Sequence, residues 1–186
     1  MHRRRFVQSH AALRRVLAGH LGAAPADIDY AEGCHGRPYL RHAEPALDFN
    51  LSHADDRAVI AVSRAGWVGI DIERTDRSFD ELVPRVLTAT ERRRFEATPA
   101  PDRAARFFEF WTGKEAFMKL NGVGLHLAPE QIEIDAGTAD GQRGVQALHR
   151  TDLAVARACL TPLAVFGGYT CTLATAVAPN PIRHSV

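Results

Sequence analysis

The stretch Trp67-Val68-Gly69-Ile70-Asp71-Ile72-Glu73 decides how this chain is read. Successive side chains of a strand point to opposite faces, so Ile70 and Ile72 share one face and Asp71 and Glu73 the other. The isoleucines belong to a core. The two carboxylates stand side by side, and like charges so close repel unless a cation neutralises them. A hard divalent ion with oxygen ligands, magnesium above all, meets that need. An acidic edge strand bathed in water meets it too, and the pair alone leaves both readings open.

Upstream, Ala58-Val59-Ile60-Ala61-Val62 is a second apolar run, with Ala65-Gly66 as a short turn between the two. That spacing predicts a hairpin of 58–62 with 67–73. Phe49-Asn50-Leu51-Ser52-His53 precedes the first strand as a polar turn, where His53 is placed to meet a phosphate; a purely structural histidine fits equally well. A loop rich in Gly and Pro covers Gly33 to Pro45. Before it, Phe6, Leu13, Val16, Leu17 and Leu21 recur at helical spacing and stop around Gly22.

Downstream, a polar connector reaches Asp80, a helix begins near Thr90, and a longer one runs from an Asp102 cap to Leu120, closed by Gly122 and Gly124. Strands are predicted over 131–135, 153–159 and 169–177, and a frayed tail carries Pro179 and Pro181. Helix-then-strand order occurs twice. With no close internal sequence repeat, that order suggests an α+β duplication, residues 1–76 with the acidic strand and 77–186 with the long helix. On that helix, Trp111-Thr112-Gly113-Lys114-Glu115-Ala116-Phe117-Met118-Lys119 sets Glu115 and Lys119 one turn apart on one face. A surface ion pair explains them; so does a third carboxylate for a metal with an ammonium for a phosphate. Gly113 inside the helix costs about 0.5–1 kcal/mol relative to Ala, which points to a close approach by another backbone or a ligand.

Composition narrows the classes. The 186 residues are 46% hydrophobic and 24% charged with a net charge of +1, ordinary for a soluble protein and no signal for nucleic acid. The basic runs at Arg3-Arg4-Arg5, Arg14-Arg15 and Arg92-Arg93-Arg94 read as solvated helix faces. No apolar run reaches the roughly 18 residues that span a membrane, and no apolar segment follows the N-terminal arginines as a signal peptide requires. Cys34, Cys159 and Cys171 lack CxxC spacing and read as reduced thiols of a cytoplasmic protein. His35, His42 and His126 lack zinc-ligand spacing and read as surface residues.

Taken together, Gly36-Arg37-Pro38, Phe49-Asn50-Leu51-Ser52-His53, Val68 to Glu73, Phe110 to Lys119 and Gly122-Val123-Gly124-Leu125 resemble the 4′-phosphopantetheinyl transferase superfamily, from Arg5 to about Val177. The resemblance is to its Sfp type, in which two similar halves, related by a pseudo-twofold, sit in one chain that acts as a monomer. It implies transfer of phosphopantetheine from coenzyme A to a serine of an acyl or peptidyl carrier protein, with release of 3′,5′-ADP. It implies magnesium held by Asp71, Glu73 and Glu115, His53 on a coenzyme A phosphate, and Lys119 on the pyrophosphate. Arg37 stands beside the nucleotide where the family often has lysine, and Ser52 lines the adenine side. Glu115 is the implied base for the serine hydroxyl, with Glu91 as a second candidate. Sfp-type proteins carry a further N-terminal strand and basic residues for the 3′-phosphate. This sequence starts almost at its first helix, a departure that bears on coenzyme A affinity. The mixed segment Thr75 to Val86, with Arg77 and Arg85, is the expected dock for an acidic carrier protein. Two other classes compete: a noncatalytic module that binds coenzyme A or carrier protein, which the intact carboxylates and Lys119 disfavour, and a metal-dependent nuclease, which the near-zero net charge disfavours.

Overall fold

The computed structural model describes residues 2–33, 35–42, 46–137, 141–150 and 152–177, apart from the side chains of residues 2–4. Arg3 and Arg4, Cys34, Pro45 and the tail with Pro179 and Pro181 therefore lie outside the described side chains. Helix α1 (His2–Leu21) buries Leu13, Leu17 and Ala18 in one cluster with Leu47 and Phe49. Gly22, at φ 65°, supplies the left-handed residue that ends it. Strands β1 (Tyr30–Glu32) and β2 (Pro38–Leu40) form a short antiparallel ribbon.

The expected hairpin is not the one the chain makes. Residues 49–53 are no turn; they lie within strand β3 (Asp48–Ala54), which pairs with β4 (Arg57–Ser63). The two-residue turn Asp55-Asp56, with Asp55 at φ 51°, closes this hairpin. It is tighter than the link through Ala65-Gly66, and a tight turn with a left-handed residue wins that competition. Strand β5 (Val68–Arg74) crosses instead to β9 (Tyr169–Ala176). It forms the edge of a five-stranded antiparallel sheet, order β5-β9-β8-β7-β6, with β6 (Ile132–Ile134), β7 (Arg143–Ala147) and β8 (Arg157–Leu163). Strand β7 was not foreseen, and β8 starts later than predicted because Leu153 and Val155 enter the core from irregular chain.

The free edge of β5 is met by β3, but by its side chains. Val68 N–H donates to Asp48 Oδ2 (2.8 Å), Ile70 N–H to Asn50 Oδ1 (2.9 Å) and Ile72 N–H to Ser52 Oγ (3.3 Å). Period two puts residues 48, 50 and 52 on one face of β3, so every second residue answers every second amide of β5. The buried amides of an edge strand are thereby satisfied.

Three helices precede the rest of the sheet: α2 (Val83–Val86), α3 (Ala89–Glu96) and α4 (Arg103–Asn121). Asp102 occupies the cap position of α4, but its backbone is already helical and its carboxylate makes no cap bond, contrary to expectation. Phe107, Phe110, Phe117 and Leu120 lie fully buried between α4 and its surroundings. The close approach foreseen at Gly113 is by sheet side chains, since a Cβ there would sit 2.9 Å from Ile134 Cδ1 and from Leu160 Cδ1. The tighter approach is at Gly69, where a Cβ would collide with the Ala116 carbonyl and lie 2.6 Å from Leu120 N. Helix α4 thus rests directly on the backbone of β5. No helix among the described residues is long and apolar enough to cross a membrane.

Candidate active site

Because α4 lies on Gly69, the next residues of β5 face the last turns of the helix. Lys119 Nζ reaches Asp71 Oδ1 at 2.6 Å and Ser52 Oγ at 2.9 Å, and Ser52 Oγ donates to the same Oδ1 at 2.8 Å. Thr112 Oγ1 and Thr172 Oγ1, 2.8 Å apart, tie α4 to β9 directly opposite Asp71. Asp71 is 3% exposed, and its other oxygen, Oδ2, is buried with no hydrogen-bond partner among the described residues. An unpartnered buried carboxylate oxygen is costly and calls for a cation.

The neighbouring carboxyls carry the same strain. Burial raises the Asp71 pKa, against the opposing pull of Lys119. Burial and then the charge of Asp71 raise that of Glu73; Arg77, whose guanidinium lies 3.3 Å from it, and the Trp111 indole work against the rise. Glu115 is pushed up to about 7, first by burial and then by Asp71, with Glu73 adding to it. Asp71, Glu73 and Glu115 therefore form one electrostatic group. Among the described residues no three acidic, histidine or cysteine side chains close around a common point, and Lys119 stands as the cation on Asp71. The donor set and the orphaned Oδ2 fit a hard divalent ion.

The other expected site residues are placed differently. Ser52 does not stand apart on an adenine side: its hydroxyl is committed to Asp71, Lys119 and Ile72. His53, the next residue, points to the opposite side of β3 and is exposed at a cavity of about 370 Å³ that Arg5, Gln8 and Arg57 also line. Arg37 borders a second cavity of about 210 Å³ with Asn50, Lys119 and Gly122, but its guanidinium is tied to protein groups. Glu91 is not brought to the carboxylate group. It is 0% exposed, closes the capping box with Thr88, and holds the Lys114 ammonium at 2.5 Å and the Ile134 amide at 2.9 Å. A carboxylate so buried and so fully bonded cannot reach a substrate, so Glu91 is corrected from a base to a framework residue. In the expected docking segment, Val86 is buried and Phe79 stacks on Phe107 with ring centres 5.0 Å apart, while Arg77 pairs with Glu73 and Asp55. Leu82 and Arg85 remain exposed.

Sequence reasoning missed Asp48 and Asn50 as organisers of the site. The signal was there: polar residues at 48, 50 and 52 alternate with Phe49 and Leu51, a strand with one polar inner face.

Residues 67–174 match the family model described as the 4′-phosphopantetheinyl transferase superfamily. The 4′-phosphopantetheinyl transferase HetI of Nostoc sp. is 36% identical over 137 residues, covering 72% of this chain and 57% of HetI. The L-aminoadipate-semialdehyde dehydrogenase-phosphopantetheinyl transferase of Eremothecium gossypii is 33% identical over 175 residues, 90% of this chain and 62% of that protein. Sfp of Bacillus subtilis is 28% identical over 134 residues, with 72% and 58% covered. The chain thus spans less than two thirds of the length of each of these relatives. Its acidic strand, the Trp111 to Lys119 helix and the matched span place it beyond ambiguity: the chain belongs to the 4′-phosphopantetheinyl transferase superfamily, alongside proteins of the Sfp type.

Proposed function

We propose that this chain transfers 4′-phosphopantetheine from coenzyme A to a serine of an acyl or peptidyl carrier protein, as a cytoplasmic monomer that requires magnesium. The observation that carries this reading is the buried Oδ2 of Asp71, without a partner among the described residues, within a group of three carboxyls beside Lys119. Asp71, Glu73 and Glu115 would hold the ion, which when bound supplies charge neutralisation at a pyrophosphate. The chain's own groups do the rest. The serine Oγ attacks the phosphorus that carries pantetheine, the bridging P–O bond breaks, and the electron pair leaves with 3′,5′-ADP. Lys119, one turn from Glu115, neutralises charge that grows on the phosphoryl oxygens. Glu115, raised to about 7, is suited to take the serine proton near neutral pH. His53 and Arg5, on the rim of the larger cavity, are suited to the charged end of coenzyme A.

Incubation with coenzyme A, magnesium and an apo carrier protein should add one phosphopantetheine to the carrier, read by intact-protein mass spectrometry. Excess EDTA should stop it, and full activity in chelator would refute the carboxylate assignment. Replacing His53 with Ala should raise KM for coenzyme A about tenfold, the worth of one hydrogen bond to a charged group, with kcat little changed. Loss of turnover at saturating coenzyme A would instead put His53 at the reacting atoms.

Docking is expected on the exposed part of the 75–86 segment. Arg77 is occupied with Glu73, which leaves Arg85 beside Leu82 as the free basic and apolar pair. Arg85→Glu should raise KM for an acidic carrier protein and weaken the salt dependence of the rate, while KM for coenzyme A stays put. An equal change for both substrates would move the dock elsewhere.

A further inference from the structure

Asp48 is 1% exposed and takes no part in the chemistry above, yet it is among the most heavily bonded carboxylates in the molecule. Its two oxygens accept the Arg37 guanidinium as a fork, Nη1 to Oδ1 at 3.1 Å and Nη2 to Oδ2 at 2.7 Å, and Oδ2 also accepts the Val68 amide. The remaining reach of Arg37 goes to two main-chain carbonyls. Nε donates to Lys119 O at 2.9 Å and Nη2 donates to Val68 O at 3.0 Å. One guanidinium therefore joins the start of β3, the start of β5 and the last turn of α4.

The stem of Arg37 passes over Gly122, where a Cβ would sit 2.9 Å from Arg37 Cδ; Gly122 is also left-handed, at φ 66°. The chain thus leaves room for this side chain at the point where the helix stops. The carbonyl it holds belongs to the residue whose ammonium sits on Asp71 and Ser52. Lysine could not do this, because a rotating ammonium offers no planar fork and no separate Nε donor.

We infer that Arg37, locked by Asp48, is a positioning residue that fixes the end of α4 and so aims Lys119 at the reacting phosphate. Its kinetic consequence rests on the transfer activity proposed above; its structural consequence does not. A displacement of a catalytic group by a fraction of an ångström costs rate even when the displaced contact is remote.

The sequence makes the test direct, because Lys114 and Lys119 are its only lysines. Protein labelled with ¹⁵N-lysine should give two protected ammonium cross-peaks at low temperature, with Lys119 assigned through Lys119→Arg. In Arg37→Met the Lys119 peak should shift or vanish into solvent exchange while the buried Lys114 peak stays. Asp48→Asn, which keeps an acceptor for the Val68 amide, should act in the same direction more weakly. In the transfer assay Arg37→Met should lower kcat by about 10–100-fold, with KM for coenzyme A little changed, the pattern of an interaction lost from the transition state rather than from ground-state binding. An unmoved Lys119 peak, loss of both peaks together, or a raised KM with kcat intact would each overturn the inference, the last by making Arg37 a nucleotide contact. A wild-type protein that shows the expected peak behaviour but transfers nothing would refute the proposed function and leave the positioning role standing.

Discussion

Glu115→Gln should lower transfer by orders of magnitude and, at the same time, make the magnesium-free protein more stable. The carboxyl of Glu115 lies half-buried beside Asp71 and Glu73, and its pKa is pushed up to about 7 from an ordinary 4.5. Below pH 4.5 it is protonated in folded and unfolded chains alike and the shift has no effect on stability. Between 4.5 and 7 the unfolded chain loses its proton first, so stability falls as pH rises, and above 7 the whole penalty is in place. Glutamine carries no charge and escapes it. At pH 8 in EDTA the variant should be more stable by about 1–3 kcal/mol, discounted for partial exposure, which is a Tm higher by roughly 2–10 °C. Near pH 5 the difference should shrink toward zero. Magnesium should raise the Tm of the unmodified protein and leave that of the variant unchanged, because binding to the folded state alone stabilises it. Turnover should fall by about 10²–10⁴-fold, since the proposed metal ligand and the proposed base are the same residue. Scanning fluorimetry across pH, with and without magnesium, reads the first effect; no gain in stability at pH 8 would show that neither burial nor the neighbouring carboxylates penalise the Glu115 charge.

Lys114→Met should cost about 3–5 kcal/mol, as much as truncating a buried phenylalanine of α4. Lys114 adjoins Glu115 in sequence but points to the other side of the helix. Its ammonium is fully buried, 2.5 Å from Glu91 Oε2, 2.5 Å from the Val86 carbonyl and 3.0 Å from the Pro129 carbonyl. Burial pulls its pKa down and the nearby charge of Glu91 pulls it back. Methionine fills the volume but strands the Glu91 carboxylate in the core. Glu91→Gln alone leaves the ammonium stranded instead, while the double variant removes both charges and should recover most of the loss. Urea unfolding of the four proteins gives the coupling. A single variant within about 1 kcal/mol of the parent, a loss typical of any ordinary substitution, would mean the buried pair does not hold α3 and α4 together.

How much of this could be read from the sequence varies residue by residue. Asp71 and Glu73 were legible because period two is rigid: alternation with two isoleucines leaves them no other face. Glu115 and Lys119 were legible because helical spacing is equally rigid. The pairing of β5 was not legible. Its partner, β9, lies about a hundred residues away, and the nearer candidate, β4, is taken by β3 through a tighter turn. Glu91 was misread for a related reason. Thr88 and Glu91 form a capping box, a purely local signal, but the ammonium that completes its environment comes from another helix. Ser52 and His53 both read as coenzyme A contacts in a turn, whereas they are neighbours on a strand and serve opposite sides. Local periodicity thus set which polar residues share a face, and long-range partners decided which of them are tied into the framework.

The junction of β3 with β5 has a consequence for self-association. An edge strand with unpaired amides invites a strand from another molecule. Here the edge is blocked by three side chains, so its protection is written in residues 48, 50 and 52 and can be lost one rung at a time. A backbone ladder tolerates most substitutions, whereas this one does not. Damage to Asn50 or Asp48 would expose an edge of Val68, Ile70 and Ile72, and the failure it invites is clumping of folded or nearly folded molecules as much as simple melting.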